Sequence, residues 1–150
     1  STTVGGDARL FFGNPATGVF AGQNTTFTNS AATGAGDQFG SAVFGGGFSG
    51  STVSVSLIDG SVPDVAFSSV KLGGASPPKL YFLDGTKAST SGDVSAVADV
   101  VYTLPAGWLG AGGLSGPVRD SNGDGYAEIA ISEAPALVAP AYAGRVLVLW

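Results

Sequence analysis

Three segments constrain this chain more than any other feature: Ala8-Arg9-Leu10-Phe11-Phe12, Lys79-Leu80-Tyr81-Phe82-Leu83 and Arg145-Val146-Leu147-Val148-Leu149. Each sets a basic residue before an apolar run. The bases are spaced 70 and then 66 residues apart. A second motif precedes the last two. Asp64-Val65-Ala66-Phe67-Ser68 matches Glu128-Ile129-Ala130-Ile131-Ser132 as acid, apolar, Ala, apolar, Ser. A third pair is Gln38-Phe39-Gly40-Ser41-Ala42 and Trp108-Leu109-Gly110-Ala111-Gly112, whose Gly40 and Gly110 are again 70 apart. A fold built from a repeated unit follows, each unit ordered as aromatic-Gly strand, acid-headed strand, base-headed strand and a variable fourth strand.

Four short strands per unit is the pattern of a propeller blade. The apolar runs are continuous rather than alternating, as in strands covered on both faces. No helical periodicity of useful length appears. Val94–Val101 is compatible with helix or strand and is read as an outer strand. Glycine, at 25 of 150 residues without a collagen period, adds the tight turns of an all-β protein. The expected fold class is therefore all-β, with propeller-type blades of four antiparallel strands. The chain is one domain. Residues 7–36 end a preceding blade, 37–104 form a full blade, and 105–150 form a third lacking its last strand.

The third unit carries Asp120-Ser121-Asn122-Gly123-Asp124-Gly125-Tyr126-Ala127-Glu128. Oxygen side chains fall at loop positions 1, 3, 5 and 9, with glycine at 6. Asp120, Asn122 and Asp124 can each present an oxygen inward, Tyr126 can add its backbone carbonyl, and Glu128 can close the site. Several flexible oxygens suit Ca2+ better than Mg2+. An EF-hand requires a bidentate Glu at position 12 and flanking helices. Position 12 is Ile131, within a β-branched run. This is a calcium loop that enters a strand. The competing reading is an Asn/Asp/Gly turn that binds nothing. The matching loop of the middle unit, Ile58 to Asp64, keeps only Asp59 and Asp64, too few for a good calcium site.

Phe39-Gly40, Pro63-Asp64-Val65-Ala66-Phe67-Ser68 and Lys79-Leu80-Tyr81-Phe82 together resemble the FG-GAP repeat of integrin alpha-subunit β-propellers. The loop Asp120 to Glu128, with Ile129-Ala130-Ile131-Ser132-Glu133-Ala134-Pro135 and Gly144-Arg145-Val146-Leu147-Val148, resembles it more closely. Glu133 stands where the family's Gly-Ala-Pro has Gly, and Leu109-Gly110 replaces Phe-Gly. The resemblance covers about residues 7–150. It implies a calcium loop between the first and second strands of a blade.

The chemistry this chain can perform is narrow. With no Cys, His or Met, it has no disulfides, no thiol or imidazole catalysis and no zinc site of the usual kind. The net charge of −5 and the lack of a basic cluster argue against nucleic-acid binding. The longest apolar run, Leu137–Trp150, is broken by Pro140, Gly144 and Arg145 and is too short for a membrane span. A weak calcium loop points to an extracellular or cell-surface location, and Ser1 is compatible with a mature N-terminus. Asp37, Asp59, Asp64, Asp84, Asp93 and Asp99 are scattered among turns and strand ends. Glu133 reads as a solvated strand end. Neither a nucleophile elbow nor a phosphate loop occurs. The expectation is no enzyme. Trp108, Trp150, Tyr102, Tyr126 and Tyr142 suit packing, with a sugar-stacking surface as the alternative. Asn24-Thr25-Thr26 is a glycosylation sequon.

Roughly two and a quarter blades fall short of a closed propeller, which usually holds four to eight. Exposed sheet faces and open edges template association. A segment of a larger propeller, a ring of copies, and a filament formed by strand addition all meet that need. The leading functional reading is a calcium-binding structural or adhesion module, with a protein or glycan ligand. The alternatives are a lectin-like carbohydrate-binding module and a fragment of a polysaccharide-degrading enzyme.

Overall fold

β-Branched and aromatic residues favour extended backbone because their side chains pack well on a pleated surface. The computed structural model bears this out. It describes residues 6–13, 16–18, 20–30, 37–45, 64–71, 77–87, 89–108, 121–123, 128–133 and 145–149. Among these the strands are β1 (Asp7–Gly13), β2 (Phe20–Thr28), β3 (Asp37–Gly45), β4 (Val65–Lys71), β5 (Lys79–Leu83), β6 (Gly92–Asp93), β7 (Val100–Thr103), β8 (Ile129–Ser132) and β9 (Val146–Leu149). One four-residue helix, α1 (Val94–Val97), and a 3-10 turn at Gly85–Lys87 complete the described elements. The protein is all-β.

The strands form three sheets, ordered β1-β2-β6, β3-β4-β5-β7 and β8-β9. Every pairing is antiparallel except β2 with β6. The four-stranded sheet spans the unit expected at 37–104. Its inner pair and the third sheet share one register. Val65 opposes Leu83, Ala66 opposes Phe82 and Ser68 opposes Leu80. Ile129 opposes Leu149, Ala130 opposes Val148 and Ser132 opposes Val146. The sequence repeat is thus a repeat of pairing.

Strand side chains alternate between faces, and the inner strands of the middle sheet, β4 and β5, are buried on both faces, while Val43, Val100 and Val101 of its outer strands are exposed. Phe67, Tyr81 and Leu83 join Ala8, Phe27, Phe39 and Val94 in a core shared with the first sheet. Ala66, Leu80 and Phe82 join Leu104, Trp108, Ile129 and Ile131 in a core shared with the third. This is why the central strands are continuously apolar. In the first core, Phe27 lies 5.0 Å from Phe67, ring centre to ring centre, and Phe39 meets Tyr81 edge-on at 6.0 Å. Burying each such ring stabilises the fold by about 1.5–3 kcal/mol.

The Phe39-Gly40 pair has a physical reason. Phe39 fills the first core, and Gly40 sits in a bulge where β3 slips against β4 between Phe39 and Val43. Gly40 has φ of +78°, and a Cβ there would lie 3.0 Å from the Asp7 carbonyl. The first and middle sheets meet at this point, and only glycine permits both the conformation and the approach.

The Val94–Val101 stretch differs from the outer strand expected of it. Val94–Val97 is helical, and the strand begins at Val100. Asp93 caps the helix, its carboxylate accepting from the Ser95 N–H at 2.8 Å. The same carboxylate accepts from the Ser30 N–H at 2.8 Å, while Ser91 Oγ accepts from the Thr26 N–H at 3.2 Å. The excursion between β5 and β7 therefore reaches across to the first sheet and fastens it, with β6 pairing beside β2.

Candidate functional site

Glu128 immediately precedes β8, whose pairing with β9 fixes where its side chain starts. The residue is 1% exposed. One carboxylate oxygen, Oε2, accepts from the Ser121 N–H at 2.6 Å and from Ser121 Oγ at 2.7 Å. The loop's second position is thereby folded back onto its ninth. The other oxygen, Oε1, has no hydrogen-bond donor among the described residues. A buried carboxylate oxygen left without a partner is costly. A hard cation is the natural complement to it.

Asn122 lies beside Ser121 in the same bend and is exposed. The expected ligands Asp120, Asp124 and Tyr126 lie outside the described residues. So does the shorter loop containing Asp59. Among the described residues no three acidic side chains gather in a group able to hold a metal. The structure thus brings Ser121 and Glu128 together and leaves the remaining geometry of the loop undescribed. By sequence the expected donors are all hard oxygens, the type that Ca2+ takes.

Asp64 occupies the position of Glu128 in the middle sheet and is fully buried. Its Oδ1 accepts from the Gly85 N–H at 3.0 Å. Gly85 belongs to the turn that follows β5. In that unit a neighbouring turn of the same sheet supplies a donor to the buried acid.

Glu133 is not the solvated strand end expected from sequence. It is buried and forms a two-pronged pair with Arg145, at 2.5 Å from Nε to Oε2 and 2.9 Å from Nη2 to Oε1. The guanidinium also donates to the Gly107 carbonyl at 2.8 Å and stacks over the Trp108 ring at 5.3 Å. The Glu133 carboxylate raises the Arg145 pKa further above its ordinary value, chiefly through these hydrogen bonds. In the middle sheet Ser69 and Lys79 hold the matching positions, and the Lys79 N–H donates to Ser69 Oγ at 2.9 Å. The β8-β9 register that pairs Ser132 with Val146 places Glu133 opposite Arg145, and that spacing was the available signal.

Trp108 is buried under Arg145, and Tyr102 packs against the same core. Trp150, Tyr126 and Tyr142 lie outside the described residues. Asp84 accepts from both the N–H and the hydroxyl of Thr86, at 2.7 and 2.6 Å. Asp99 pairs with Lys87 and accepts from the Asp84 N–H at 2.9 Å. The Lys87 ammonium holds the Asp99 carboxyl below its usual range. These acids serve turns, as Asp93 serves a helix cap. Among the described residues no helix is long and apolar enough to cross a membrane. No family model, curated protein or solved structure matches the chain.

Proposed function

We propose that this protein is a calcium-stabilised structural or adhesion module of the extracellular space, built from propeller-type sheets and working through its surfaces rather than by catalysis. The observation that carries the reading is Glu128, a buried carboxylate with one oxygen engaged by the loop it closes and the other without a donor among the described residues. Asp120, Asn122, Asp124, the Tyr126 carbonyl and Glu128 would hold the ion. Bound there, Ca2+ would neutralise the three carboxylates and join the loop to the head of β8. Its role is to hold the third sheet in place, and the chain's surfaces then meet other sheets or copies of itself.

An ion that binds only the folded state stabilises it by about 2.7 kcal/mol at a hundredfold excess over Kd. The melting temperature should rise with calcium and fall back with chelator. The Asp124→Ala variant should melt in calcium at the chelator value. A wild-type melting temperature indifferent to calcium would overturn the proposal.

A further inference from the structure

The chain has four asparagines, Asn14, Asn24, Asn29 and Asn122. An asparagine loses its side-chain amide when the backbone nitrogen of the next residue attacks the amide carbon. The attack needs an N–H on that next residue, little bulk at its Cβ, and a backbone able to turn. Asn14 precedes Pro15, which has no N–H. Asn24 precedes the β-branched Thr25, and both are held extended in β2, opposite Phe11 and Leu10 of β1. Asn29 is buried, and its Nδ2 donates to the Tyr81 hydroxyl at 3.1 Å. The nitrogen that would attack it, that of Ser30, donates instead to the Asp93 carboxylate at 2.8 Å.

Asn122 is set differently. Its successor is Gly123, and both residues are exposed in a bend rather than a strand. Gly123 has φ of +82°, and a Cβ built on it would meet no atom of the described residues within 4 Å. Ser121, just before Asn122, is anchored through its N–H and hydroxyl on Glu128.

We propose that Asn122 is a site of spontaneous deamidation, and that an ion in the loop protects it. The protection rests on the calcium reading above. The Gly123 nitrogen, losing its proton to water, attacks the side-chain amide carbon of Asn122. The bond from that carbon to the side-chain nitrogen breaks, and ammonia leaves with the proton, closing a cyclic imide. One water then opens the ring at either carbonyl. The products are aspartate and isoaspartate, in which the main chain runs through Cβ. Water is consumed, ammonia is released and nothing is oxidised or reduced. Each product carries a new negative charge. In the loop, aspartate adds a carboxylate to those of Asp120, Asp124 and Glu128, whereas isoaspartate lengthens the backbone beside the Ser121 anchor. An ion holding the Asn122 oxygen resists the rotation that ring closure needs, so bound calcium slows the reaction.

The test incubates the wild-type chain at mildly alkaline pH and body temperature, in millimolar calcium or in chelator, and follows its peptides by mass over time. In chelator, Asn122 should convert at least tenfold faster than Asn24 or Asn29, and calcium should slow it at least threefold. The Asn122→Asp chain, digested alike, marks the elution of the aspartate product and separates it from isoaspartate. Asn122 that keeps its amide in chelator as long as Asn24 and Asn29 do would overturn the inference, whatever calcium does to the melting temperature. Conversion at one rate in both buffers would support the modification site and overturn its protection, and with it Asn122 as a ligand of the ion. Conversion of Asn122 in a chain whose melting temperature ignores calcium would overturn the function proposed above and leave the modification standing.

Discussion

The middle and third sheets share one strand register and one order of apolar positions, yet they end in different surroundings. Leu80 and Val146 occupy the same place in their sheets; one is buried and the other projects into solvent. Asp64 and Glu128 head equivalent strands and are both buried; one receives a backbone N–H from a turn of its own sheet, the other is engaged by the loop that precedes it. A pairing pattern therefore sets which side chains share a face. What covers that face, and what compensates the acid at its edge, depends on neighbouring segments. Equivalent positions carry very different energetic weight for that reason.

Alanine substitution at the paired positions tests this contrast most strongly. Leu80→Ala should destabilise by about 2–5 kcal/mol, because it removes buried contacts and leaves a cavity between two sheets. Val146→Ala should change stability by no more than about 0.5 kcal/mol, as expected at an exposed site. Denaturant midpoints make the comparison. Equal losses at the two sites would mean that the third sheet is covered within a single chain in solution.

The second test concerns the two buried acids. Asp64→Ala leaves the Gly85 N–H without its acceptor and should cost about 1–3 kcal/mol, equally in calcium and in chelator. Glu128→Gln removes a carboxylate facing the proposed ion. Its melting temperature should lose the calcium-dependent increment, and in chelator it should match or exceed wild type, since a buried charge has been removed. A calcium response retained by Glu128→Gln and lost in Asp64→Ala would place the ion in the middle unit instead.

Sequence made the sheets legible because the signal was pairwise and local. The acid-headed and base-headed segments became β4, β5, β8 and β9, with the pairs predicted by their spacing. At the loop, Ser121 donates to Glu128, a contact the spacing did not name, because it singled out Glu128 and the alternate oxygen positions but not Ser121. Two further features were not legible. The excursion from Gly85 to Asp99 has valines that suit a strand, but Asp93 caps them into one helical turn and the segment pairs with β2, far away in sequence. Here a tertiary contact overrides β propensity. Glu133 looked solvated because a lone acid at a strand end usually is. Its burial depends on Arg145 lying opposite and Trp108 folding beneath, and both are long-range facts.

The smallest expected effect concerns the tie between the first sheet and the middle unit, and pH reads it. Hydrogen bonds from Ser30, and then from Ser95, lower the Asp93 pKa from 3.8 to about 2. The folded-state pKa is depressed, so the unfolded chain binds the proton more readily. The stabilisation is fully present above the unfolded value, fades as pH falls below about 4, and is gone once pH has passed the folded value near 2. Asp93→Asn removes the titrating charge. The wild-type melting temperature should therefore fall more steeply than that of the variant between about pH 4 and pH 2, with the two curves parallel above that window. Hydrogen exchange at the Ser30 amide should accelerate in wild type over the same interval, relative to β4 amides at the centre of the middle sheet, after correction for the intrinsic pH dependence. If Ser30 and β4 instead lose protection together, the excursion unfolds with the whole protein and does not work as a separate fastening.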